Sequence, residues 1–353
     1  AWDRLSRIGA GMSPGQLHAE TVDGSNLLAV ADAVARKAKV LRAGEGPALL
    51  DIECYRYSGH STTDTNAYRS RDEMKAWQAH DPITRFRDSL VNGGVIAAGE
   101  ADEMVEAAGV QIEAVTRVVV NRQLAPAVDL EASPTIIGDM TFNNEAIELG
   151  GRAGDLLAEP AETGAVKSIM RKARSGIAED GSQLSPMRAV TLRDALSEAI
   201  LHHLIHDESL IAYGEECRDW GGAFGVHRGF ADIIPYHRLF NSPISEAAIV
   251  STAVGYALAG GRAIVELMYA DFIGRAGDEI FNQLAKWQAM SAGELRLPVV
   301  LRVSVGSKYG AQHSQDWTSL VTHVPGLRVI YPATPHDAKG LMVTALSGND
   351  PVS

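Results

Sequence analysis

Apolar positions recur with two periods along this chain, and they do so in two separate blocks. In the first block, "LLAVADAVARKAKVL" (27–41) has the three- and four-residue spacing of a helix, which Gly44 and Gly46 should end. "PALLDIEC" (47–54) is a continuous apolar run of strand length. "DPITRFRDSLV" (81–91) predicts a helix capped by Asp81 with Pro82 in its first turn, and 98–120 predicts a long one. The second block starts near 188. There "TLRDALSEAILHHLIHD" places Leu192, Ala195, Leu196, Ala199, Ile200 and Leu204 on one helical face, with Thr191 as cap. "SLIAYG", "AIVEL", "LPVVLRV" and "GLRVIYP" then predict strands. "ISEAAIVSTAVGYALAGG", "DEIFNQLAKWQAM" and "TPHDAKGLMVTAL" predict the helices among them. Strands alternating with helices of this length imply an α/β fold with mostly parallel sheets flanked by helices. Between the blocks, "APAVDLEASP", "EPAETG" and "SGIAEDGSQLSP" lose the rhythm, and only "AVKSIMRKAR" suggests a helix. The expected organisation is a module over 1–125, a linker with short helices over 126–187, and a second, related module over 188–353.

A length of 353 residues suits two domains that each bury a core. A net charge of −12 argues against nucleic acid or an anionic membrane as partner. The longest apolar stretch, around 253–270, is cut by glycines, Arg262 and Glu266, so no membrane span is expected. With only Cys54 and Cys217, no disulfide framework is expected either. A reducing compartment follows, the cytoplasm or, in a eukaryote, the mitochondrial matrix.

Parallel α/β sheets present ligand groups beyond the carboxyl ends of their strands, and four stretches fall there. "YRYSGHSTTDTNAYRSR" (55–71) follows a strand and carries Arg56, His60, Ser61, Tyr68 and Arg69, donors suited to a diphosphate or a carboxylate. A solvated loop with surface ion pairs explains it about equally well. No "GxGxxG" or "GxxxxGK[ST]" pattern occurs in it. In "NSPISEAAIV" (241–250), Glu246 stands at the start of an apolar helix. That is the usual place for a dipole-stabilised acid, but the apolar neighbours would raise its proton affinity if it is buried. His313 in "GAQHSQDW" (310–317) follows a strand, where it is either a proton donor or a structural loop histidine. Phe272 in "MYADF" (268–272) is either core or a platform for a cofactor ring.

In this order, the loop 55–71, "GEE", "PISEAAIV", "YADF", "AQHSQ", "PGLRVIYPATPHDAKGL" and "DPV" resemble one family. It is the thiamine-diphosphate-dependent decarboxylating component of the 2-oxo acid dehydrogenase complexes, of pyruvate, branched-chain and acetoin type. Residues 20–125 resemble the later half of its α subunit and 188–353 the first domain of its β subunit, fused in one chain. The resemblance implies that Arg56 and His60 contact the cofactor's diphosphate, with His60 also counted in the catalytic set. Ser61, Asp64, Tyr68 and Arg69 would shape that loop. Ser61 matches a phosphorylated serine of mitochondrial relatives, while Ala67 stands where a second one would be. Glu246 would bond the aminopyrimidine N1′, Phe272 would stack on that ring, His313 would face the substrate, and Glu215 would lie on a proton path. The implied reaction is decarboxylation of a 2-oxo acid, with the acyl group passed to a lipoyl group on a separate dihydrolipoyl acyltransferase. A homodimer with sites between chains is the implied assembly.

Two departures qualify this. The family's "GDG" and asparagine motif for Mg2+ should precede residue 1, so the magnesium ligands are expected outside these residues. The β subunit's carboxyl-terminal domain should follow "NDPVS", and a fragment is expected. Two alternatives stay open: an acyloin-forming or transketolase-like thiamine enzyme without a lipoyl partner, and a non-catalytic subunit that keeps the fold.

Overall fold

The computed structural model describes residues 4–12, 15–152, 155–170, 179–182, 190–306 and 310–353. The helix expected over "AVKSIMRKAR" is described only as far as Met170. The chain forms two compact units, Ala1–Ala127 and Val128–Ser353.

The first unit runs α1 (Ser6–Met12), β1 (His18–Asp23), α2 (Leu27–Arg42), β2 (Ala48–Glu53), α3 (Arg71–Gln78), α4 (Pro82–Asn92) and α5 (Ala98–Val120). β1 and β2 pair in parallel, with His18 opposite Ala48 and Asp23 opposite Glu53. Caps form where the sequence placed them. Asp81 accepts from the amides of Ile83 and Thr84 ahead of Pro82, as an N-cap acid should. Asn26 accepts from Ala29 N, and Ser70 from Glu73 N.

The second unit contains α6 (Ile136–Thr141), α7 (Gly164–Met170), α8 (Leu192–His206), β3 (Leu210–Gly214), β4 (Leu239–Asn241), α9 (Glu246–Leu258) and β5 (Arg262–Leu267). It continues with α10 (Ala285–Met290), β6 (Val299–Val303), α11 (Thr318–Thr322) and α12 (Pro335–Ser347). Its sheet is wholly parallel, in the order β4-β3-β5-β6. Alternate strand residues face opposite ways. Ala263, Val265 and Leu267 join Val299 and Leu301 in a core with Ile249, Val250 and Ala253 of α9. Ile264 and Val300 turn to the other core, with Ile200 and Leu204 of α8 and Ala345 and Leu346 of α12. Burial on both faces is why these strands read as unbroken apolar runs. On α8, Ala195, Ala199, Ile200 and Leu204 are buried as expected, whereas Leu192 is 38% exposed at the first turn.

Part of the stretch expected as linker folds onto this unit. The amides of Asn143 and Asn144 donate to the two carboxylate oxygens of Asp350, at 2.9 and 3.0 Å. Ile147 N donates to Ser347 O, and Leu157 N to Ile233 O.

The sheet order has a functional consequence. The chain leaves β3 toward β4 on one side and leaves β5 toward β6 on the other. A crevice at the carboxyl ends of β3 and β5 is where such sheets place ligands.

Candidate active site

The loop after β2 is built around its one acid. Asp64 accepts from the amides of His60 (2.6 Å) and Asn66 (2.9 Å) and from the Tyr68 hydroxyl (2.9 Å). The His60 amide bond foremost, then the other two, holds the Asp64 carboxyl below the usual aspartate value. A side chain at Gly59 would press on Asp64, with its Cβ 2.7 Å from the Asp64 Cβ, so the turn requires glycine. Arg56 donates to His60 O at 2.9 Å, and Arg69 to Ser58 O and Asn66 Oδ1. The Arg69 guanidinium also lies 5.3 Å over Tyr55 and 5.0 Å over Tyr68. Ser61 Oγ sits 3.1 Å from Thr63 Oγ1. Arg56, His60, Ser61 and Tyr68 are exposed, and the internal bonds hold them in one preformed turn.

Asp64→Ala removes three acceptor bonds at once. We expect the His60 and Asn66 amides to exchange hydrogen much faster in this variant, with α3 and α4 unchanged; equal exchange would show that the arginines alone order the loop. Because the folded carboxyl titrates low, Asp64 supports the loop above the ordinary aspartate range. That support is lost as pH falls through the depressed value.

In the second unit, four of the singled-out residues lie just past strand ends. Glu215 follows β3 directly. Burial foremost, then the charges of Glu246 and Glu216, raises its carboxyl above the usual value. Its Oε1 is buried without a hydrogen-bond partner. Glu246 is the first residue of α9 and 7% exposed. The charge of Glu246 is thus felt at the buried Glu215 carboxyl. After β5, the turn Ala270–Ala276 carries Phe272, whose ring centroid lies 5.4 Å from that of His313. Tyr269 packs on His313 from another side at 5.3 Å, and Phe224 stands edge-on to Tyr269 at 6.2 Å. Phe272 is half-buried and faces an imidazole; it is not sealed in the core. Tyr269 and Phe224 were not singled out from the sequence, although Tyr269 stands inside the quoted "MYADF".

Beneath the loop after β3 lies a buried ionic group that no motif signalled. Glu266 on β5 contacts Arg302 on β6, its neighbour in register, and takes the amide of Ala223. Desolvation lowers Arg302 to about 10 and His227, beside it, to about 3. Burial pushes the Cys217 thiol up to about 12.

Comparison with known proteins assigns both blocks. Residues 16–127 match the family described as "Dehydrogenase E1 component", and residues 188–353 the "Transketolase, pyrimidine binding domain". The first block is thus similar to an E1 dehydrogenase domain and the second to a transketolase-type pyrimidine-binding domain. Curated relatives include the "Acetoin:2,6-dichlorophenolindophenol oxidoreductase subunit beta" of Cupriavidus necator. It is 43% identical over 179 residues, covering 47% of this chain and 52% of that protein. The Bacillus subtilis protein of the same description is 36% identical over 179 residues, with the same two coverages. The "Pyruvate dehydrogenase E1 component subunit beta" of Rickettsia conorii is 39% identical over 165 residues, covering 46% and 51%. The chain spans about half the length of the curated relatives it matches. A solved "Split gene transketolase, inactive beta4 tetramer" aligns with a TM-score of 0.37 at 19% identity, over 46% of this chain and 50% of its own. Among the described residues, no helix is long and apolar enough to cross a membrane.

Proposed function

We propose that this E1-type chain serves thiamine-diphosphate-dependent oxidative decarboxylation of a 2-oxo acid and passes the acyl group to a lipoyl group on an acyltransferase partner. The observation that carries the reading is the pair Glu215 and Glu246 at the sheet's carboxyl edge. One is at an apolar helix start; the other has a raised proton affinity and an unpartnered buried oxygen. These groups fit the cofactor's pyrimidine end, which needs a carboxyl to hold a proton at N1′. The Arg56–His60 turn has donors suited to a diphosphate. Bound thiamine diphosphate supplies the nucleophilic carbon and the electron sink for loss of carbon dioxide. Glu246 holds the proton at N1′, and Glu215 exchanges protons with it. Phe272 offers a ring face, and His313, between Phe272 and Tyr269, donates a proton or a hydrogen bond to the substrate.

The beta subunits of acetoin oxidoreductases among the relatives favour acetoin as a second substrate reading. Turnover on a panel of 2-oxo acids and acetoin, read with an artificial electron acceptor and separately by lipoyl acylation, tests both. Acceptor reduction without lipoyl acylation would remove the partner from the reading, and inactivity on every 2-oxo acid would overturn it. In the same assays, His313→Ala should leave cofactor affinity near that of the unmodified protein. It should slow decarboxylation or acyl transfer by about 10² to 10⁴. Weak cofactor binding with normal saturated turnover would place His313 at the cofactor instead.

A further inference from the structure

Cys217, His227 and Glu266 come from three places in the sequence and meet beneath the loop that follows β3. One ligand atom from each lies within 4.8 Å of the others, and all three residues are buried. The imidazole is 1% exposed; it interacts with the Gly221 backbone, but neither of its nitrogens reaches full hydrogen-bond geometry. Buried polar atoms are almost always paired, so a buried ring held only by a poorly aligned backbone contact points to a further partner. Nδ1 is directed at Glu266 Oε2 across 4.0 Å, too long for a hydrogen bond and wide enough for an intervening atom.

We propose that Cys217, His227 and Glu266 bind a divalent cation of zinc type, which ties the loop carrying Glu215 to strand β5. Thiolate, imidazole and carboxylate are the zinc donor set, at about 2.3, 2.0 and 2.1 Å. The three atoms must draw together by about 1 Å to reach those lengths. Binding releases the Cys217 proton to solvent: the S–H bond breaks as the S–metal bond forms, with no change of oxidation state. A neutral imidazole is already the ligating form.

Arg302 is the competitor, because it now neutralises Glu266. Its Nε has no partner, and its side chain also borders a cavity of about 560 Å³ with Phe224 and Ser304. The Ser304 hydroxyl there is likewise buried without a partner. The guanidinium thus has space and an acceptor to move to when a metal takes its place on Glu266. Gly222 permits the close approach. At φ +66° it lies against the Glu266 carboxylate, where a Cβ would sit 2.6 Å from an oxygen.

The test uses the full chain with Cys54→Ser, so that any thiolate signal reports Cys217, the other of its two cysteines. The protein is stripped with a chelator, loaded with Zn2+ or Co2+, and passed through gel filtration. About one zinc per chain should remain. The cobalt form should show tetrahedral visible bands and a thiolate-to-cobalt charge-transfer band. Cys217→Ser should abolish the charge-transfer band, and His227→Gln should weaken zinc affinity at least about 10-fold. If either variant fails to fold by circular dichroism, the unsubstituted cluster's cobalt spectrum decides alone. No retained zinc and no charge-transfer band would overturn the proposal and leave Arg302 as the cation of this cluster.

Discussion

Glu246→Gln should slow exchange of the cofactor's thiazolium C2 proton by about 10² to 10⁴. The amide keeps the shape of the side chain and its place at the first turn of α9, but it cannot hold a transferable proton at N1′. Glu246 is 7% exposed, so water cannot readily substitute for it. Its neighbour Glu215 titrates above the usual glutamate value, because burial foremost and then the adjacent charge oppose ionisation. Removing the Glu246 charge should therefore let the Glu215 carboxyl titrate lower. Two readouts follow. Hydrogen–deuterium exchange at C2 reports the chemistry, and cofactor titration reports binding, which should change far less. Exchange at the unmodified rate would remove Glu246 from acid–base work and return it to the role of a dipole-stabilised helix-start acid.

Much of this site was legible because its parts are local. The caps Asp81, Thr191 and Thr334 each accept the amide bonds their positions predict. Strand β5 reads as apolar because both its faces are buried. Glu246 and His313 could be found by asking only which polar residues follow a strand. What escaped detection depends on partners distant in sequence. β1, "HAETVD", carries polar residues that do not alternate, and it is a strand because β2 pairs with it. β4 is three residues long and exists as an edge to β3. "GLRVIYP" has strand composition, yet it forms a single bridge, Arg328 to Val352, with backbone bonds from Arg328 and Ile330 to Pro351 and Ser353. "DEIFNQL" has helical spacing, but the turn Glu279–Leu284 is π-helical before α10 begins, and no spacing rule separates the two. The meeting of Cys217, His227, Glu266 and Arg302 joins the β3–β4 connection to strands β5 and β6 and leaves no periodic trace.

Arg238→Met should destabilise the second unit by about 3 to 5 kcal/mol. Arg238 is 2% exposed, and its guanidinium does the work of a helix cap. It donates to Leu204 O at 2.7 Å and to Asp207 O and Leu210 O, the carbonyls where α8 ends and turns into β3. The last carbonyls of a helix have no partners of their own, and here burial denies them water. A cation at a helix carboxyl end also meets the dipole favourably. On its other side Arg238 pairs with Asp155 at 3.1 Å, so one side chain fastens α8, β3 and the segment before α7. Methionine fills similar volume but supplies no donor, leaving buried carbonyls unpaired and Asp155 with His237 as its remaining partner. A urea titration monitored by far-ultraviolet circular dichroism should show the second unit's midpoint fall with an unchanged slope. Asp155→Asn should cost less than about 1 kcal/mol, because that carboxylate is about one-third exposed and its pairs with Arg238 and His237 are partly screened. If the two substitutions cost the same, the ion pair and not the carbonyl cap carries the stability, and the helix end is solvated in some other way.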